Sequence, residues 1–188
     1  RTELQILRYP AEDPHSLAAL LHALPPAETE GVALMAPETP VLRDAVKALR
    51  EKGIPVIAIG SDLPNTDRDH FVGIDSRAAG RTAGVLMGRF VGRGPGQILA
   101  LAESMQLRDA IERRHGFDAV IQAEFPWLEV LPTLETHGSD ATLRAVVTER
   151  LRHATGLRGI YVLGSGHRAL AATLADLGLT GRFTIIGH

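Results

Sequence analysis

Phe71-Val72-Gly73-Ile74-Asp75-Ser76-Arg77-Ala78-Ala79-Gly80 decides the fold: an apolar strand runs into an acidic residue and then directly into a helix. In an open α/β sheet, ligands bind where the strands end at their carboxyl termini and the following helices begin. A carboxylate at such a strand end either meets a substrate hydroxyl or caps the helix by accepting backbone N–H bonds. Both roles are open to Asp75, and the cap is open to Ser76.

The same strand-to-helix unit recurs on both sides of that stretch. Upstream, Leu4 to Arg8 reads as a strand, and the leucines at 17, 20, 21 and 24 fall on one helical face that Pro25-Pro26 ends. Gly31 to Met35 is a second strand, followed by an amphipathic helix on Val41, Leu42, Ala45, Val46 and Leu49; Pro55 to Ile59 is a third. Downstream of the helix that carries Ala83, Met87 and Val91, the run Gly92-Arg93-Gly94-Pro95-Gly96 can continue neither element and reads as a linker. Strands at 97–101, 128–134, 159–163 and 183–186 then alternate with helices at about 107–123, 140–153 and 167–177. Repeated units of this kind imply right-handed crossovers and parallel sheets covered on both faces. The fold class expected is α/β, in two lobes: 1–92, a hinge or crossover at 93–96, and 97–188, with a ligand cleft between them.

Composition narrows the function. The 188 residues are 45% hydrophobic and 22% charged with a net charge of -2, which suits a soluble globular chain and gives no basic footprint for nucleic-acid phosphates. There is no cysteine, so disulfides, thiolate metal sites and cysteine nucleophiles are excluded, while the compartment stays undecided. No run approaches the roughly 18 apolar residues of a spanning helix. Gly164-Ser165-Gly166-His167-Arg168-Ala169 has the G-x-G-x-x-A form of a dinucleotide loop, but the next strand ends in Gly187-His188 with no acid for a ribose. As a nucleophile elbow the stretch fails at Leu163, where that motif needs glycine. No histidine has a histidine partner four residues on, so neither a metal nor a cofactor is expected. The charge run Arg108, Asp109, Glu112, Arg113 and Arg114 reads as a solvated helix face from which one guanidinium could grip hydroxyls or a carboxylate.

Taken in order, Ile54-Pro55-Val56-Ile57, then Val72 to Gly80, then Arg113-Arg114-His115-Gly116-Phe117 resemble the lactose-repressor (LacI) family and its relatives, the type I periplasmic sugar-binding proteins. The family pattern is a proline-led strand, a V-G-x-D-N-x-x-A-G segment and an R-x-x-G-F helix, and the similarity covers nearly the whole chain. It implies a two-lobed sensor that closes on a small polar metabolite. Asp75 and Arg113 match the family's effector-contacting aspartate and arginine, on opposite lobes. Ser165, where the family has Asn-Asp, and Ser61, after the strand ending at Ile59, stand at two further ligand-binding positions. These replacements, with Ser76 for Asn, thin the polar set that would hold an ordinary sugar. The resemblance also implies that the chain starts after the family's first strand and helix and stops before its last segment.

Two readings follow. In the first, this is the effector-binding domain of a cytoplasmic LacI-type regulator, a homodimer that reaches operator DNA through a headpiece outside these residues and has no membrane contact. In the second, it is the solute-binding component of a sugar-type uptake system. An enzyme is the least supported class, because no nucleophile and base are paired. The arginines at 89, 93, 108, 113 and 114 and the thinned sugar set favour the regulator.

Overall fold

The computed structural model describes residues 3–9 and 13–188. It separates into two compact units, 1–73 and 74–188.

In the first unit, α1 (Pro14–Ala23) is capped by Asp13, whose carboxylate accepts from the Ser16 amide, and α2 (Pro40–Glu51) by Thr39. Both helices carry proline in the first turn, where no N–H is needed. Three parallel strands, β1 (Val32–Leu34), β2 (Val56–Ile59) and β3 (His70–Val72), pair in that order. Alternation sends Leu34, Val56 and Ala58 into a core with Leu17 and Leu21 of α1 and Leu42, Val46 and Leu49 of α2. The other face was expected to be covered. Instead it leaves Met35, Ile59 and Val72 exposed, because α1 and α2 pack against each other on one side. The strand expected over Leu4 to Arg8 joins no ladder, and Leu4 and Ile6 are 83% and 75% exposed.

The second unit opens with α3 (Ser76–Val91), followed by β4 (Gly96–Ala102), α4 (Arg108–Glu124), β5 (Leu128–Val130), β6 (Leu134–Glu135), α5 (Asp140–His153), β7 (Leu157–Val162), α6 (His167–Asp176) and β8 (Thr184–Gly187). The parallel sheet runs β5-β4-β7-β8, with β6 also on β4. Its central strands, β4 and β7, are buried on both faces. Ile98, Ala100, Tyr161 and Leu163 meet α3 and α4, while Leu99, Leu101, Ile160 and Val162 meet Leu143 and Val147 of α5 and Leu170 and Leu174 of α6. The strand expected over 128–134 is broken in two. Val130 pairs with Ile98 and Leu134 with Leu101, so one extra residue bulges out around Pro132, which has no N–H for a ladder.

The domain boundary is corrected from 93–96 to the Gly73–Ile74 bond. Helix α3 belongs to the second unit because its glycines admit α4 at backbone distance. A β-carbon on Gly80 would strike the Arg113 carbonyl, one on Gly84 would crowd Val120, and one on Gly88 would strike the Phe125 ring. The linker at 92–96, with Gly92 and Gly94 at positive φ, is a turn inside this unit. Arg158 pins it by donating to the carbonyls of Val91, Arg93 and Gly94. No described helix is long and apolar enough to cross a membrane.

Candidate functional site

The carboxyl ends of β4, β6 and β7 are tied into one edge. The Leu163 amide donates to the Leu101 carbonyl, the Thr136 amide to Ala102 and the His137 amide to Glu103. This fixes the first residues beyond three strands relative to one another, which is where a parallel sheet presents its ligand-binding groups.

Four polar side chains gather on that edge. Ser165 donates its hydroxyl to Glu103 Oε2 at 2.8 Å, and Glu135 Oε2 accepts from the Met105 amide at 2.8 Å. Arg113, on α4, donates from Nη1 to the Leu163 carbonyl at 2.6 Å and pairs with Asp109 one turn earlier at 3.0 Å. The Arg113 and Asp109 side chains are only 13% and 11% exposed, so the pair is shielded from water and held stiffly. Arg113 Nε is buried with no hydrogen-bond acceptor among the described residues.

The aromatic floor beneath comes from β7. Tyr161 stacks on Phe117 of α4 with ring centroids 4.2 Å apart, and its hydroxyl lies 2.9 Å from Nε2 of His188, just past β8. Burial pushes the Tyr161 phenol well above its usual value, so it stays protonated and donates. Burial, then the charge of Arg113 and then that of His167, lower the His188 imidazole. A neutral His188 that accepts at Nε2 carries its proton on Nδ1.

Of the four expected ligand-binding residues, Arg113 and Ser165 converge on the Leu163–Ser165 turn. Asp75 is the N-cap of α3: its carboxylate accepts from the Ala78 amide at 2.9 Å. It lies in the same unit as Arg113, which corrects the expectation of opposite lobes; Gly116, three residues beyond Arg113, sits against the Arg77 carbonyl of that first turn. Ser61 belongs to the first unit, in the turn after β2, and is wholly buried. Glu103, Asp109, Glu135 and His188 went unnoticed as site residues. Glu103 was findable by the rule that picked out Asp75, an acid directly after an apolar strand, and Asp109 by its four-residue spacing from Arg113. Their presence restores polarity to a set that appeared thinned at Ser165.

Among solved structures, the chain is similar to a solute-binding protein of an ABC transporter from Burkholderia graminis in complex with D-arabinose. Identity is 23% over 92% of this chain and 61% of that one, with a TM-score of 0.84. It is similar to another from Agrobacterium vitis with bound D-fucose (24%, 94% and 62%, 0.82) and to one from Clostridium phytofermentas with bound L-rhamnose (18%, 92% and 55%, 0.83). The chain thus spans less than two thirds of the length of these proteins. No curated protein matches the sequence. The family model described as periplasmic binding protein domain matches residues 6–188. The chain belongs to the periplasmic binding protein domain family, whose members bind ligands and do not transform them.

Proposed function

We propose that this chain is the ligand-binding part of a solute-binding protein in a sugar-type ABC uptake system, and that its ligand is a small neutral sugar or related polyol. The observation that carries this reading is the edge where Arg113, Glu103 and Ser165 meet at the carboxyl ends of β4 and β7. It combines a shielded cation, a carboxylate acceptor and a hydroxyl, a mixture that matches the alternating donors and acceptors of sugar hydroxyls. Arg113 is neutralised by Asp109, so the edge has no surplus positive charge to demand an anionic ligand. The solute-binding proteins with D-arabinose, D-fucose and L-rhamnose supply the class of probes.

Titration calorimetry with those three sugars tests it. Saturable binding of at least one, weakened at least tenfold by Glu103→Ala, is expected. Saturable binding of a charged metabolite with none of any neutral sugar overturns it.

The second reading is the effector-sensing domain of a LacI-type regulator that works in the cytoplasm as a homodimer and reaches operator DNA through a headpiece outside these residues. It is favoured by the Val72-Gly73-Ile74-Asp75 and Arg113 to Phe117 segments. A helix-turn-helix encoded ahead of Arg1 would select it, and a cleavable signal peptide would select the uptake protein.

A further inference from the structure

The opposite end of the second unit carries a cavity that the sugar-binding reading does not use. It has a volume of about 300 Å³ and lies at the amino ends of β7 and β8, lined by Val91, Leu157, Arg158, Arg182, Phe183 and Thr184 together with Gly181. From Arg158 to Leu163 the chain advances about 17 Å at 3.3 Å per strand residue, so this cavity and the Arg113 edge occupy opposite ends of the sheet.

Its electrostatics are one-sided. Two arginines, Arg158 and Arg182, are among its lining residues, and no acidic residue is. Arg158 is immobilised: Nη1 donates to the carbonyls of Arg93 and Gly94 at 3.2 and 3.0 Å, and Nη2 to that of Val91 at 2.6 Å. These carbonyls stabilise the cation at the end of α3, where the helix dipole is negative, but they bring no full negative charge. Arg182 stands in the turn after α6, whose Gly181 has a φ of +75, and neither arginine forms an ion pair among the described residues. Arg182 lining the same recess as the immobilised charge of Arg158 suits a tetrahedral oxyanion, which takes two parallel N–H bonds from a guanidinium fork.

The geometry points to a second binding site here, for a small oxyanion of the phosphate class, gripped by Arg182 and held in the field of Arg158. The volume is at the lower end for small-molecule sites and accommodates a phosphate group with few further atoms.

The protein carries its own reporter. Trp127 is the only tryptophan, and its indole N–H donates to the Gly92 carbonyl at 3.4 Å, in the turn that Arg158 clamps beside Val91. Titrating inorganic phosphate at constant ionic strength, with chloride as the balancing salt, should change Trp127 fluorescence saturably. Arg182→Ala, which breaks no side-chain bond among the described residues, should weaken that response at least tenfold, and Arg182→Lys should fall between. Calorimetric heats in the wild type should give the same midpoint. No saturable signal in either measurement, or an unchanged midpoint in Arg182→Ala, overturns the proposal. Sugar binding at the other end of the sheet should be unaffected by Arg182→Ala, so failure of one site is distinguishable from failure of the other.

Discussion

Gly80 of α3 lies against the backbone of Arg113 on α4 so closely that a methyl group there would strike the Arg113 carbonyl oxygen. Reciprocally, a methyl group on Gly116 would strike the Arg77 carbonyl. The two contacts fix how far α4 stands from α3, and with it where the Arg113 guanidinium reaches the Leu163 carbonyl. Gly80→Ala is therefore expected to destabilise the chain by about 1–3 kcal/mol despite the better helix propensity of alanine, because the obstacle is main chain and not a flexible side chain. Urea denaturation of the two proteins checks it, and sugar affinity should fall in the same variant.

Breaking the shielded ion pair should cost more than removing it. Arg113→Met leaves the Asp109 carboxylate nearly buried beside an apolar chain, with an expected loss of about 3 kcal/mol, while Arg113→Met with Asp109→Leu should recover part of that loss. A double-mutant cycle by denaturant unfolding measures the coupling. Sugar binding should be absent from both variants.

Glu103 and Ser165 should separate in their effects. Ser165→Ala removes one donor to a carboxylate that water can also reach, so the chain should lose no more than about 1 kcal/mol of stability and less than tenfold in sugar affinity. Glu103→Ala removes the acceptor itself and should lose at least tenfold in affinity by calorimetry.

His188 should make the unit less stable in mild acid. Its imidazole is held below the ordinary histidine value of about 6.5, so the unfolded chain takes up a proton that the folded chain resists. Stability is complete above that value and declines as the pH falls through it, levelling off once the folded imidazole is also protonated. Unfolding free energies at pH 8 and pH 5.5 for the wild type and for His188→Asn test this: the wild type should lose more on acidification. Equal losses would remove His188 from the account.

Helix α5 tests a purely local contribution. Ser139 caps it by accepting from the Thr142 amide at 3.1 Å, and Ser139→Ala should cost about 1 kcal/mol in thermal or denaturant unfolding with sugar affinity unchanged.

Local chemistry in the sequence determined the elements: the proline and glycine punctuation, the caps at Asp13, Thr39, Asp75 and Ser139, and the continuous apolar runs that make β4 and β7 apolar on both faces, as suits parallel strands covered by helices. Asp75, Arg113 and Ser165 stand out as candidates because an acid after a strand, an R-x-x-G-F helix and a small polar turn are all short-range patterns; the fold places Asp75 as the cap of α3 and Arg113 and Ser165 at the Leu163–Ser165 turn. Only the tertiary structure decided which unit α3 joins. The linker at 92–96 has the composition of a hinge, yet Arg158, more than sixty residues later, closes it into a turn, and the glycine contacts with α4 carry α3 into the second unit. It also decided that Glu103 meets Ser165 and that Tyr161 meets His188, since these partners are far apart along the chain. Patterns of three or four residues register helix faces and strand faces; they carry no record of which distant strand end will lie alongside, because that is set by packing across the whole sheet.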